Sequence, residues 1–449
     1  MKIAPADASA ETNSVLLIRA VDAGATYLSF RWLDDPARPE VHAVTEPEMR
    51  RLLGRLDSAL VGSTTASADD TAAVRQALSG QLTRYLSEYA LSEALTRAII
   101  PDRIRLALRD RAERGSVTVR ITPSRSLARV PFELFVIADP VRLIEIADVC
   151  YEPPATVHVG RGRLPEPWTD DVAARPVLYV VDPRLPAGSG KQRILPPRGA
   201  GGGTQPTNTE LFEQRISARA HTTTSGVHKS IGRWELRDDL LERPGRFLYF
   251  GHVSSTLDAP GSASLHLDDD GAEWGLAQPM NAAHVPLSAL DLLLGTAAPE
   301  LGPADGEPFI PGCAGYQLWP MPTRVALIAC ESGVDYRSTE TFGLVMAVLS
   351  SGAEVATTTR WTLPSDAAFA EICGISQSPG PTTELALAVD DTHCAQDPVA
   401  ALAQWQRIKL EQWRNTPGPA TSPLTWAAVG VHICPVRAVT IPAGSKVSA

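Results

Sequence analysis

Between residues 177 and 433 the chain alternates short, almost wholly apolar runs with stretches of helical period. This alternation narrows the fold more than any other feature. Val177-Leu178-Tyr179-Val180-Val181, Phe247-Leu248-Tyr249-Phe250 and Val325-Ala326-Leu327-Ile328-Ala329 are apolar on successive residues rather than on alternate ones. A strand of that kind is covered on both faces, as in a parallel sheet sandwiched by helices. Helical stretches are expected at 208–218, 233–242, 339–350, 365–373 and 397–413, a helix near Pro286 to Leu294, and further strands at 354–361 and 426–433. The expected class is α/β, with a mostly parallel sheet flanked by helices.

Two of the apolar runs stop at residues that carry chemistry: Phe250-Gly251-His252 and Ala329-Cys330-Glu331-Ser332-Gly333. The carboxyl ends of neighbouring parallel strands face one crevice, where ligands bind. An imidazole and a thiol brought together there form a nucleophile with its base. Each residue also has a plain structural reading. A strand-end histidine can simply pack, and a free cysteine often fills core space. His432 lies inside the last expected strand and reads as structural, while His221 and His228 fall in polar sequence.

Upstream, Val15-Leu16-Leu17-Ile18 and the Tyr27–Trp32 run flank Asp22-Ala23-Gly24, the signature of a β-hairpin. Residues 46–60 and 71–112 have helical periodicity, with a break at Pro101-Asp102. Residues 117–121, 127–135 and 143–146 read as strands. The Pro- and Gly-punctuated stretch 159–175 marks a boundary between an N-terminal α/β region, 1–165, and a second α/β region, 170–435. Stretches 183–208 and 301–320 are Pro/Gly-rich, and 436–449 reads as a flexible tail.

A net charge of −10 over 449 residues argues against broad electrostatic binding to nucleic acid or to an anionic membrane. No run approaches the roughly 20 apolar residues of a membrane span, and Met1 to Asn13 lacks an apolar signal core, so a cytoplasmic protein is expected. The six cysteines are sparse, without zinc spacing, and read as reduced thiols. Gly188-Ser189-Gly190-Lys191 lacks the earlier glycine of a P-loop and has Gln192 where Ser or Thr should hold magnesium. Asp268-Asp269-Asp270-Gly271 lacks the later ligands of a calcium loop. Neither G-x-S-x-G nor H-E-x-x-H occurs. No cofactor and no metal is expected.

An ordered series of segments resembles the CHAT family, caspase-like cysteine peptidases of the clan that includes caspases and separase. Leu127-Ala128-Arg129-Val130-Pro131-Phe132-Glu133-Leu134 resembles the family's L-x-x-[ILV]-P-[FW]-E-L segment, and Tyr151-Glu152-Pro153-Pro154 its Y-x-P-S stop, with Pro154 in place of serine. Phe250-Gly251-His252 resembles the catalytic GHG strand and Ala329-Cys330-Glu331-Ser332-Gly333 the ACETG segment. Gly352-Ala353 through Trp361 to Asp366 resembles the GA…W…D segment, and Pro423-Leu424-Thr425-Trp426-Ala427-Ala428 the closing P-x-x-WAAF, with Val429 last. The matches run from about residue 127 to 430. The resemblance implies a caspase-like fold with a pseudo-caspase-like N-terminal region. It implies a cysteine endopeptidase with His252 and Cys330 as its dyad, and a protein substrate. A role in bacterial antiphage defence or regulated cell death follows from it, with a gasdermin-like pore former as a candidate target and a separate activator as a candidate partner.

The resemblance further places the oxyanion donors at the backbone N–H groups of Val253 and Cys330. The family has glycine after the histidine, and this chain has Val253. If the site requires a positive φ there, the chain is a catalytically inactive CHAT scaffold that binds a partner protein or peptide. Asp366 and Asp182 are the candidate acidic residues of the S1 pocket, with Trp361 as a candidate wall. Asp366 resembles the acidic residue that follows the matching tryptophan in separase, and it also suits the N-cap of a helix beginning near Ala367.

Overall fold

The computed structural model describes residues 13–61, 70–187, 189, 191–196, 205–219, 226–255, 261–269, 275–277, 284–296, 314–329 and 343–434. In the N-terminal region the strands are β1 (Ser14–Asp22), β2 (Ala25–Trp32), β3 (Glu40–Thr45), β4 (Val117–Thr122), β5 (Val136–Ala138), β6 (Val141–Arg142) and β7 (Asp148–Tyr151). In the second region they are β8 (Val177–Val181), β9 (Gly226–Val227), β10 (Arg246–Gly251), β11 (Val253–Ser254), β12 (Ser264–Leu265), β13 (Leu287–Ser288), β14 (Arg324–Ala329), β15 (Val355–Thr359) and β16 (Val429–Ile433).

Eleven of these form one sheet in the order β3-β2-β1-β4-β7-β16-β15-β14-β10-β8-β9. Its antiparallel pairs are β1/β2, β2/β3 and β15/β16, and its other neighbours run parallel. The fold is α/β with a mostly parallel sheet. The two regions on either side of 159–175 share that sheet, because β7 pairs with β16 at Tyr151 and His432. β11, β12 and β13 make a separate small antiparallel sheet beside the end of β10.

The apolar runs are explained by two cores, one on each face. Leu248 and Phe250 of β10, Tyr179 and Val181 of β8, and Ala326 and Ile328 of β14 enter the larger core. Their alternate neighbours Phe247, Tyr249, Leu178, Val180, Val325 and Leu327 enter the second. Successive side chains of a strand point to opposite faces, so both faces of these runs are apolar, and charge appears only at the first positions of β10 and β14, Arg246 and Arg324. Each large side chain so buried contributes about 1.5–3 kcal/mol. β1 and β2 show the other pattern, with Leu16, Ile18, Leu28 and Phe30 buried and their neighbours toward solvent. The helices Glu46–Asp57 and Tyr85–Ile99 contribute Met49, Leu52, Leu91 and Leu95 to the same core.

Several local expectations are corrected. Residues 127–135 form turns and a 3-10 helix, Phe132–Leu134, rather than a strand, and Leu143–Ile146 is a single helical turn. Both are buried apolar runs too short for periodicity to separate helix from strand. In the second, the Glu145 carboxylate accepts from the Arg142 N–H and closes the turn. A helix also spans Pro381–Thr392, a stretch with no element expected from the sequence, and its proline does not interrupt it. Pro381 is its first residue, where a missing N–H costs nothing. The stretches 301–313 and 436–449 lie outside the described residues. No described helix is long and apolar enough to cross a membrane.

Candidate active site

β8, β10, β14 and β15 are parallel neighbours, so their carboxyl ends lie along one edge of the sheet. Gly251 pairs with Ala329 at the ends of β10 and β14. His252 is the residue after Gly251. Cys330, the residue after Ala329, lies outside the described residues. Gly251 is required by its surroundings: a Cβ there would lie 2.6 Å from the Tyr249 ring. The Tyr249 hydroxyl sits 2.6 Å from the His252 carbonyl and 3.0 Å from the His266 carbonyl, and it tethers the backbone on both sides of the histidine.

The His252 imidazole is half-buried, with Nε2 2.6 Å from the carbonyl oxygen of Gln192. A carbonyl can only accept, so Nε2 carries the proton, and the neutral ring keeps its lone pair on Nδ1. Burial holds the imidazole below its usual value. The Gln192 carbonyl opposes that shift, Lys191 adds to it, and the Asp182 carboxylate opposes it. The result is an oriented imidazole whose Nδ1 has no hydrogen-bond partner among the described residues. Gln192 carries no sequence signal for this role, because any residue supplies a backbone carbonyl.

Val253 follows in β11, 4% exposed, with its side chain in the second core. Val253 pairs with Leu265, and the flanking ladder bond runs from the His266 N–H to the His252 carbonyl at 3.1 Å. In an antiparallel ladder this register makes Val253 a non-hydrogen-bonded position toward β12. Its N–H therefore points away from β12, to the side of β11 that pairs with no strand among the described residues. Val253 is not among the described non-glycine residues with positive φ, which are Asp182, His228 and Arg243. A β-branched residue suits this extended position.

Asp182 ends β8 with φ 44° and is 3% exposed. Its Oδ2 accepts from the Ile194 N–H at 3.0 Å, the Leu195 N–H at 2.8 Å and His228 Nε2 at 2.9 Å. The segment 191–196 is thus pinned at Asp182 and offers the Gln192 carbonyl to His252, so Asp182 and His252 belong to one constellation.

Asp366 is placed differently. Ser365, not Asp366, caps the helix Asp366–Cys373, accepting from the Ala368 N–H. The Asp366 carboxylate instead accepts from the N–H groups of Thr382 and Thr383 at the start of the helix Pro381–Thr392, from the Thr383 hydroxyl, and from the Asn208 amide. Burial raises its pKa, and the bonds from Thr383 and Thr382 counter that. Trp361 is fully buried in the larger core, and its indole N–H donates to the Leu424 carbonyl at 2.8 Å. Solvent does not reach it.

A second cluster lies against the first. His266, which is fully buried, has Nδ1 3.0 Å from His284 Nε2 and Nε2 2.8 Å from Ser254 Oγ, and its ring centroid is 6.5 Å from that of His252. Among the described residues no group of three or more His, Cys, Asp or Glu could hold a metal ion. The described cysteines Cys150, Cys373, Cys394 and Cys434 take part in no disulfide among the described residues. Burial pushes the thiols of Cys150 and Cys434 up, that of Cys434 to about 11, which disfavours their thiolates.

No family model matches the chain, and no curated protein does. Among solved structures, the chain is similar to two crystal structures of the Saccharomyces cerevisiae separase–securin complex. One is at 10% identity with a TM-score of 0.43, the other at 8% with 0.44. Each match covers 94% of this chain and 30% of that chain.

Proposed function

We propose that the chain is a CHAT-type cysteine endopeptidase that cuts a protein substrate with Cys330 as nucleophile and His252 as base. The observation that carries this reading is the bond from His252 Nε2 to the Gln192 carbonyl. It fixes the tautomer and leaves Nδ1 as the proton acceptor, on the strand next to the one that leads into Cys330.

In this reading Nδ1 takes the thiol proton and the thiolate attacks the scissile carbonyl. The developing oxyanion is held by the backbone N–H groups of Val253 and Cys330. Nδ1–H then protonates the leaving amine, and water hydrolyses the thioester with His252 again as base. The extended backbone of Val253 supports a working donor at that position and so favours the enzyme over the inactive scaffold.

Asp182 is the better S1 acid of the two candidates. Among the described residues its donors all meet Oδ2, which leaves Oδ1 for an arginine or lysine side chain. The donors to Asp366 account for both of its oxygens. Preferred cleavage after a basic residue follows. Bacterial defence, with a gasdermin-like pore former as target and a separate activator, is the biological setting this reading adopts from the family resemblance.

The test is cleavage of candidate protein substrates by the wild type, Cys330→Ala and His252→Ala. Loss of processing in both variants supports the reading. Equal processing by all three overturns it.

A further inference from the structure

The buried histidines beside His252 are used by nothing in the mechanism above, yet their bonds form a directed chain. The Asp269 carbonyl lies 3.0 Å from His284 Nδ1. It can only accept, so Nδ1 carries the proton. An imidazole that carries its proton on Nδ1 offers Nε2 as an acceptor, which places the proton between the rings on His266 Nδ1. His266 Nε2 is left with its lone pair, and the Ser254 hydroxyl 2.8 Å away must donate to it.

The strand places this chain beside the crevice. Val253 faces the core, so His252 and Ser254, on either side of it, share the opposite face. Ser254 is half-buried. His266, across the ladder from His252, reaches diagonally to Ser254.

We propose that Ser254, His266 and His284 form a second acyl-transfer centre, with Ser254 as nucleophile, His266 as its base and His284 as the group that orients the base. Ser254 Oγ attacks an acyl carbonyl, and its proton passes to His266 Nε2 as the Oγ–C bond forms. His284 Nε2 accepts from His266 Nδ1–H and so shares the charge that forms on His266. Collapse of the adduct passes the proton on His266 Nε2 to the leaving group, which departs protonated. Water then hydrolyses the acyl-serine by the same route.

Burial and the neighbouring His284 push the His266 imidazole down to about 2. A desolvated imidazole is a weak base, which suits attack on activated acyl groups with good leaving groups. The substrate class is therefore esters and thioesters, not amides. The proposal does not depend on Cys330.

The test is reaction of the full chain with an alkyl fluorophosphonate, followed by peptide mass mapping. The Ser254 Oγ–P bond forms, fluoride leaves, and His266 takes the proton. The expected result is an adduct on Ser254 in the wild type and in Cys330→Ala, absent in urea, and formed about a hundredfold more slowly in His266→Gln. Ser264, on the adjacent strand with its hydroxyl bonded to the Ser262 carbonyl, is the internal control and stays unlabelled. Ser254 without an adduct in the wild type overturns the proposal and requires no variant to fold. Labelling that survives urea, or is equally fast in a folded His266→Gln protein, also overturns it. Loss of substrate cleavage in Cys330→Ala with Ser254 labelling intact separates the two centres.

Discussion

The guanidinium of Arg360 and the carboxylate of Glu133, 227 positions apart in sequence, form a buried ion pair at 2.5 Å, each side chain 2% exposed. Arg360 also donates to the Ala427 carbonyl and lies over the Tyr151 ring at 4.6 Å, while the Tyr151 hydroxyl donates to Glu133. Gly430 makes room for this arrangement, since a Cβ there would lie 2.6 Å from Arg360 Nη2. The cluster ties β15, whose end borders the crevice, to the N-terminal region. Removing one member of a buried pair strands the other charge and costs about 3–5 kcal/mol. Glu133→Ala should lower the free energy of unfolding in urea by that amount. A change under about 1 kcal/mol would show that Arg360 finds water or another partner.

This cluster also shows where sequence stops being informative. The P-F-E-L segment containing Glu133 is visible as a motif, but nothing local to it identifies Arg360 as its partner. The strands of the second region were legible because burial on both faces leaves an unbroken apolar run. Leu127–Phe135 and Leu143–Ile146 also read as strands but fold as turns and short helices, because a few buried residues interrupted by Arg129, Pro131, Glu133 and Glu145 carry no period. At the site, His252 was legible from its place at a strand end. Gln192 was not, since its backbone carbonyl acts. His266 and His284 were not, since only the small sheet of β11, β12 and β13 brings them to Ser254.

His252 must be neutral to take the thiol proton, and burial lowers its pKa below the ordinary 6.5. Cleavage should therefore be lost on acidification only as pH falls through that depressed value. The measurement is kcat/KM against pH on a peptide substrate. An acid limb with its midpoint above 6.5 would contradict a desolvated, neutral His252.

Asp182 and Asp366 separate by the kind of defect each causes. Asp182→Asn keeps an oxygen that can accept from the Ile194 and Leu195 N–H groups but removes the charge. It should lower kcat/KM on arginine and lysine P1 peptides by about a hundredfold, with a smaller effect on neutral P1. Asp366→Ala strips the acceptor from the start of the helix Pro381–Thr392 and should cost about 1–2 kcal/mol of stability, with P1 preference unchanged. A panel of P1-varied peptides with urea unfolding of both variants checks this. The reverse pattern would assign the pocket to Asp366.

His432 stands in the last strand, where burial and then Arg360 push its pKa down to about 3. The unfolded chain titrates it near 6.5, so between about 3 and 6.5 the unfolded state binds a proton that the folded state does not. Stability therefore rises with pH across that window and is lost as pH falls below about 6.5, by roughly 2 kcal/mol at pH 5 from this residue. His432→Gln should flatten the dependence of the unfolding free energy on pH between 7 and about 5. An unchanged slope would place the acid sensitivity on other groups.

Val253 allows the proposed oxyanion donor to be removed with little else. Its N–H takes no part in the β11/β12 ladder, and proline is tolerated on an edge strand where the missing donor faces outward. His252 precedes this strand, and proline restricts the residue before it to extended conformations. Val253→Pro should therefore keep the fold while lowering kcat by about 100- to 1000-fold, the usual cost of one oxyanion donor. Val253→Gly keeps the N–H and should retain activity within about threefold, losing stability only through the exchanged side chain and added backbone freedom. Fast cleavage by a folded Val253→Pro protein would show that the oxyanion is held elsewhere. A large gain from Val253→Gly would show that the valine does restrain the site.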